Sequence, residues 1–378
     1  MKSIENGCGR IKLWGMTDSK LVSEKRVSMS DIAKAVGVSK NTVSLALRGG
    51  RAISKKTSAK IIAMAEKLGY QKSDTISKVM RQLKSADGKF RETIAMINAN
   101  EMKDACTKHP TVPRYVEGVR RAAAREGFSI DEFWLYDPKL NGKKLASILN
   151  TRGIKGGIVV GLMNSNKLPA GFKNIWRDFK FVVTGIRTSN PTLNFTCSDQ
   201  FLLAYHATMN AIACGYKRPA LVLDETIDNL IEGRFSGGFL RAQMALNRDD
   251  RIDPFLKVSQ AKKNQKFFDD WFKNNKPDVI ICLYNSVRKW LDDMGLNAPK
   301  DIGLIQLERR AGEEDWSGME QNNDLVGETA VEKLTKLLNE CQTKEKYPIT
   351  ATLVSPTWVE SETIKPCKKN GRIRAYFP

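Results

Sequence analysis

The sequence predicts an all-α helix-turn-helix headpiece at the N-terminus, followed by an α/β domain of two similar lobes built on parallel sheets. Three observations carry this reading. Ser28 to Leu47, SMSDIAKAVGVSKNTVSLAL, has the spacing of two short helices crossing at small residues. From Glu92 onward short apolar runs alternate with amphipathic stretches, the pattern of βα units. Positive charge is concentrated ahead of that point: of the formal +20 carried by 378 residues, about two thirds lies in Met1 to Arg91, with 20 basic and 7 acidic residues.

In the headpiece, Ala33 and Val43 flank Gly37, a residue free to take positive φ in the turn. Ser30 is expected to cap the first helix by accepting from the amide of Ala33 or Ile32, and that helix to bury Ile32, Ala35 and Val36. Ser39 is expected to cap the second, Lys40 to Leu47, with Val43 and Leu47 turned inward. Lys40, Asn41, Ser44 and Leu45 then point outward near its N-terminal end, where recognition helices meet base edges. Asparagine pairs bidentately with adenine, and lysine reaches guanine O6 or N7. Ser39, Thr42, Ser44 and Arg48 are short donors or a cation suited to phosphates, and Ser30, Ser54 and Thr57 complete the DNA-facing set. A third helix, Lys56 to Leu68, with Ile61, Ile62, Ala65 and Leu68 on one face, closes a three-helix core. The basic N-terminal end therefore implies a double-stranded DNA partner.

Composition sets further bounds. A chain that is 41% hydrophobic is long enough for two or three cored domains. No apolar run approaches the ~18 residues of a membrane span and the N-terminus lacks a secretory apolar block, so a cytoplasmic, nucleoid-associated location without membrane contact is expected. Seven cysteines with no C-x-x-C pair argue against a zinc site or a disulfide framework, and most are expected as buried reduced thiols. His109 and His206 lack ligand partners at helical spacing, so no metal and no cofactor is expected. There is no G-x-S-x-G, G-x-x-x-x-G-K-[ST] or H-E-x-x-H, nor a full G-x-G-x-x-G after a strand, and adjacent carboxylates such as Glu313 and Glu314 read as solvated; no catalytic residue is assigned.

Along the chain, residues 1–26 read as a disordered arm, 27–72 as the headpiece, 73–91 as a hinge helix and linker, 92–365 as the two-lobed domain and 366–378 as a basic tail. Strands are expected at Thr93 to Ala99, Gly156 to Val160, Lys180 to Thr184, Asn194 to Cys197, Arg218 to Leu223, Asp278 to Leu283 and Ile302 to Leu307. Helices are expected at Pro113 to Glu126, Gln200 to Cys214, Ile231 to Leu246, Ser286 to Met294 and Asp324 to Glu340.

The motif S-x-x-D-I-A-x-x-x-G-V-S-x-x-T-V-S, the I-S-x-x-T entering the third helix, and L-G-Y at Leu68 to Tyr70 resemble the lactose-repressor (LacI/GalR) family of bacterial transcription regulators. The likeness runs from about Val27 to about Glu362 and includes the blocks GYKRPALV, PDVIIC, WSGMEQ and TLVSPTWVES. It implies a periplasmic-binding-protein-like effector domain, a homodimer on a palindromic operator, and a small-molecule effector, a carbohydrate by family habit. It also implies lobe crossings near Gly215, Gln321 and Tyr347, and a hinge whose minor-groove wedge falls at Val79 or Met80. Leu45 stands where many members have arginine, and Lys72 and Ser73 where they have proline and asparagine.

The resemblance places effector contacts at Asp199, Arg234, Asn285 and Gln321, with Asn98, Asn100 and Glu101 as weaker candidates. Asp199 is equally suited to capping the next helix. Arg234 lies in R-F-S-G-G-F, whose extra glycine shifts the family register by one. Asn285 replaces a common aspartate and also suits a cap. Trp316 is either a stacking face or core. Two other readings stay open: a sugar-binding protein whose headpiece no longer reads sequence, and a constitutive DNA binder with an empty cleft.

Overall fold

The computed structural model describes residues 27–47, 53–70, 92–310, 312–339 and 348–366. The expectations placed on 1–26, Arg48, the hinge with Val79 and Met80, Tyr347 and 367–378 lie outside these residues. The described chain falls into two compact units, 27–70 and 92–366.

The first unit is three helices, α1 (Met29–Val36), α2 (Lys40–Leu47) and α3 (Lys55–Lys67). Ile32, Val43, Ala46 and Ile61 are completely buried at their centre, with Ala33 and Ala65 beside them. Ala35 is exposed and Val36 only half-buried. The inward position of α1 is Ala33, whose small side chain lets α2 approach; Ala46 does the same for α2, leaving Leu47 half-buried.

The second unit holds two sheets. The first has the order β10-β5-β4-β3-β1-β2 and is entirely parallel: β1 (Glu92–Asn98), β2 (Phe128–Trp134), β3 (Gly156–Val160), β4 (Lys180–Thr184), β5 (Asn194–Ser198) and β10 (Ala351–Val354). The second has the order β11-β9-β8-β7-β6, comprising β6 (Pro219–Val222), β7 (Val279–Cys282), β8 (Gly303–Gln306), β9 (Ser317–Glu320) and β11 (Thr357–Val359), with only β11 antiparallel. Phe255 adds a parallel bridge to Val222 on the outer side of β6. The central strands β3, β7 and β8 are buried along their whole length, which is why GGIVV, VIIC and GLIQ carry no polar alternation. The edge strand β2, FSIDEFW, keeps Ser129, Asp131 and Glu132 beside its apolar residues and shows little apolar run, so sequence reading passed over it.

Two crossings fall where the resemblance puts them. After β5, α6 (Gln200–Ala213) leads into β6 of the second sheet, and after β9, α11 (Asn323–Asn339) returns to pack on the first. A further crossing falls at Ser355 and Pro356, between β10 in the first sheet and β11 in the second. The helix expected over Ile231 to Leu246 is shorter, α8 (Arg234–Gln243), and is preceded by a separate helix, α7 (Glu225–Leu230). Glu232 and Gly233 separate the two with φ of 61° and 70°. Asp228 holds the break, accepting from the Ser236 amide at 3.1 Å and its hydroxyl at 2.6 Å.

In the first lobe, α11 packs on α4 (Val112–Arg125) so closely that two glycines are required. A Cβ on Gly118 would stand 1.8 Å from the Asp324 carbonyl oxygen, and one on Gly327 2.2 Å from that of Tyr115. Along the rim of this crossing Arg121 meets Asp324 at 2.8 Å and Arg125 meets Glu328 at 2.8 Å and Glu332 at 2.9 Å. These arginines hold the Glu328 carboxyl below its usual range. Among the described residues no helix is long and apolar enough to cross a membrane, and no group of histidine, cysteine and carboxylate side chains is placed to hold a metal ion. Cys197 and Cys282 are buried free thiols, as expected of most of the cysteines, and Cys106 is a half-buried one, whereas Cys214 is disulfide-bonded.

Gly327→Ala is expected to destabilise the second unit by about 1–3 kcal/mol, because the added methyl meets backbone, which cannot rotate away. Urea unfolding followed by fluorescence checks this; an unchanged midpoint would show that the two helices separate at little cost.

Candidate nucleic-acid interface and ligand cleft

The headpiece geometry starts from its caps. Ser28, not Ser30, caps α1: its hydroxyl accepts from the Asp31 amide at 3.3 Å while the Asp31 carboxylate accepts from the Ser28 amide at 2.8 Å. This reciprocal box satisfies two free donors at once, whereas Ser30 lies in the first turn. Gly37 ends α1 in the left-handed region, φ 74°. Ser39 caps α2 by accepting from the Thr42 amide at 3.1 Å, and Ser54 caps α3 by accepting from Thr57 at the same distance. In both, the two hydroxyls also meet at 2.8 Å.

With Val43 and Ala46 facing inward, α2 presents Lys40 and Asn41 fully to solvent and Ser44 and Thr42 partly. Leu45 is 44% exposed, an apolar side chain held outward on a polar face. The outward row of this short helix therefore combines lysine, asparagine and serine, which can hydrogen-bond, with one apolar side chain, leucine.

In the second unit the candidate ligand residues divide. Asn98 is buried and donates to the carbonyls of Met102 and Lys103 at 3.1 and 3.0 Å while accepting from the Asn100 amide at 2.9 Å. Asn100 donates to the Gly161 carbonyl at 3.0 Å and accepts from Met102 at 2.9 Å. Both asparagines are thus spent on shaping the loop after β1. Asp199 caps α6, accepting from the Leu202 amide at 3.1 Å. Asn285 stands at the start of α10 (Ser286–Asp293) without capping it; it bonds Glu313 and accepts from Gln306 at 2.8 Å. Gln321 donates to the Leu307 carbonyl at 3.1 Å. Glu101 is exposed, and Trp316 is core, 2% exposed, with the Arg288 guanidinium over its ring at 5.1 Å.

Arg234 alone of these lines the pocket between the lobes. Gly185, Ile186, Arg187, Phe195, Cys197 and Gln200 come from the first lobe; Leu230, Ile231, Glu232 and Arg234 come from the second. The pocket is half open to solvent and small, far below the ~300–1,000 Å³ of many ligand sites. Arg234 and Arg187 both lie over the Phe195 ring, at 5.9 and 5.3 Å, and both pair with Glu232 at 3.3 Å. Burial pushes the Cys197 thiol up to about 11, the Arg234 charge partly opposing it.

Deeper in the interlobe region, Glu308, 7% exposed, follows β8 and accepts from Thr111 at the start of α4 (3.1 Å), from Asn323 at the start of α11 (3.1 Å) and from Arg310 (2.8 Å). It ties the second sheet to both glycine-crossed helices of the first lobe. Sequence reading missed Glu308, Arg187, Gln200 and Glu232. The available signal was position: Arg187 and Glu308 each stand just beyond an apolar strand, where parallel sheets present side chains to a cleft.

Residues 28–73 match the family described as bacterial regulatory proteins, lacI family. The match falls on the helix-turn-helix unit, so that unit is similar to the DNA-binding segment of this family. The chain is 22% identical over 328 residues to the "HTH-type transcriptional repressor PurR" of Histophilus somni (strain 129Pt), covering 83% of this chain and 92% of that one. The likeness of fold to solved structures extends beyond that segment. The transcriptional regulator CelR in complex with cellobiose superposes with a TM-score of 0.54 at 15% identity, over 89% of this chain and 100% of that one. The lac repressor dimer bound to operator and the anti-inducer ONPF gives 0.52 at 15% identity, over 90% and 99%.

Ser39→Ala is expected to cost the headpiece about 1 kcal/mol, the usual value of a lost N-cap. Ser30→Ala is expected to cost less than half of that. Thermal melts of the two variants, read by far-ultraviolet circular dichroism, check the order, and a larger loss at Ser30 would reverse the cap assignment.

Proposed function

We propose that the protein is a sequence-specific transcriptional repressor that binds a palindromic operator as a homodimer and is tuned by a small ligand, a sugar or sugar derivative, in the interlobe pocket. The observation that carries the DNA half is α2: a capped, close-packed helix whose outward row is Lys40, Asn41, Ser44 and Leu45. In this reading Asn41 pairs with adenine, Lys40 reaches guanine, and Leu45 contacts a thymine methyl. Ser30, Ser39, Thr42, Arg48, Ser54 and Thr57 hold phosphates, and Val79 or Met80 wedges the minor groove. Phosphate contacts supply most of the affinity and make it salt-dependent.

The ligand half is supported by the pocket at Arg234, Gln200 and Phe195 and by the complexes of the similar proteins, CelR with cellobiose and the lac repressor with operator and anti-inducer. Asp199, Asn285 and Gln321 belong to this reading only if cleft closure frees them from their present bonds; Asn98 and Asn100 act through loop shape. Effector binding regulates DNA binding to the extent that its affinity differs between lobe arrangements. The regulator acts in the cytoplasm on nucleoid DNA.

Selection of bound duplexes from a random pool, at moderate salt and without ligand, is expected to recover a two-fold symmetric site. Enrichment of no sequence, with salt-sensitive binding retained, would refute sequence reading. On the recovered site Asn41→Ala is expected to lose about 1–3 kcal/mol of discrimination at one base pair per half-site, and an unchanged preference would remove Asn41 from the readout.

A further inference from the structure

The interlobe pocket gathers charged side chains from both lobes. Two guanidinium groups, Arg187 and Arg234, converge on one phenyl ring and share a single carboxylate, Glu232. Among the residues that line the pocket the charged ones are Arg187, Arg234 and Glu232, two cations to one anion, beside an apolar wall of Ile186, Leu230 and Ile231. Asp199, which accepts from the Leu202 amide, keeps its negative charge close by but does not line the pocket.

An independent feature points to a bound molecule. Gln200 is 7% exposed, lines the pocket, and spends its amide N–H on the Gly185 carbonyl at 3.0 Å, while its Oε1 is buried without a hydrogen-bond partner. A buried acceptor left unpaired costs free energy, which a ligand hydroxyl or N–H placed there would recover.

Glu232 is held in an unusual way. It is a non-glycine residue at φ 61°, a conformation that L-residues adopt at a cost, and it precedes Gly233 at φ 70°. That kink ends α7 before Arg234 and turns the carboxylate back onto both guanidinia. Its side chain and that of Arg187 are each 46% exposed, so that pair is solvent-screened and weak enough to be exchanged, while Arg234, 22% exposed, is the more buried partner.

We propose that the pocket takes a small ligand carrying a carboxylate or phosphate, such as an acidic or phosphorylated sugar, and that Glu232 is an internal stand-in for that anion. Arg187 and Arg234 clamp the anionic group as Glu232 leaves, and Gln200 accepts from a ligand hydroxyl or N–H. The inference rests on reading the cleft as the effector site and narrows the class of effector.

Inorganic phosphate is the probe, titrated against chloride at constant ionic strength, with the thermal midpoint of the full chain followed for the wild type, Glu232→Gln and Arg234→Gln. The headpiece is the same in all three, so its own attraction for phosphate cancels. Removing the competing carboxylate is expected to lower the half-saturating phosphate about fivefold, the equivalent of one exposed ion pair. Arg234→Gln is expected to raise it about tenfold or more, the loss of one charge-assisted hydrogen bond. Identical phosphate dependence in wild type and Glu232→Gln, or weaker binding in the variant, overturns the proposal whatever the fate of Arg234→Gln. A neutral sugar that shifts operator binding equally in wild type and Glu232→Gln, without any phosphate effect of the substitution, overturns it too while leaving the regulator reading intact. A phosphate effect of the expected sign, with operator binding unmoved by any effector, supports the anion site and removes ligand control.

Discussion

Parallel strand pairing is the constraint from which the second unit follows. Strands that run the same way cannot be joined by tight turns, so each connection must travel back along the sheet, and helices cover its faces. The segments that follow the strands then gather at one edge. In the first sheet that edge carries the loop of Asn98 and Asn100, the turn at Gly185 to Arg187, and Asp199 with Gln200; in the second it carries Asn285 and Glu308. A polar residue at these places escapes the cost of burial inside the sheet and becomes available to a ligand or to the opposite lobe. The pocket is a product of this topology as much as of any individual side chain.

The two lobes are held by different means. The crossing of α4 and α11 depends on backbone approach at Gly118 and Gly327, dry at its centre and bordered by arginine–carboxylate pairs that add little by themselves. Between the lobes the connections are polar: Glu308 gathers Thr111, Asn323 and Arg310, and Glu232 gathers Arg187 and Arg234. A glycine-packed contact has one good arrangement. A polar contact shared among several donors has exchangeable ones. Rigid lobes with exchangeable polar ties are what a ligand needs if its binding is to move one lobe against the other.

The headpiece follows another logic. Its core is six side chains, so most of its definition comes from its ends: a capping box at Ser28 and Asp31, a left-handed glycine at Gly37, and serine caps at Ser39 and Ser54. They leave the outward row of α2 free, with Leu45 exposed as an apolar element among its polar side chains.

Much of this was legible in the sequence. The helix-turn-helix, seven of the buried strands and the two outer lobe crossings on either side of the second sheet were readable because each is a local property: helical periodicity, an uninterrupted apolar run, a glycine or serine at a helix end. The family likeness was readable for the same reason, since its motifs lie in these local signals. What only the tertiary structure decided involves residues distant in sequence or surfaces half in solvent. Ser28 displaced Ser30 as the cap because the choice depends on the reach of Asp31. The edge strand β2 and the late crossing between β10 and β11 are set by neighbouring strands and not by their own composition. Asn98, Asn100 and Asn285 had the right chemistry for a ligand, but their bonds go to Met102, Gly161, Gln306 and Glu313, partners that spacing does not reveal. Arg187 and Arg234, 47 positions apart in the chain, meet over Phe195 only because the fold brings the end of one strand against a kink between two helices. Sequence periodicity sets which face of an element is apolar; which polar groups converge is settled by long-range packing, and no local pattern encodes it.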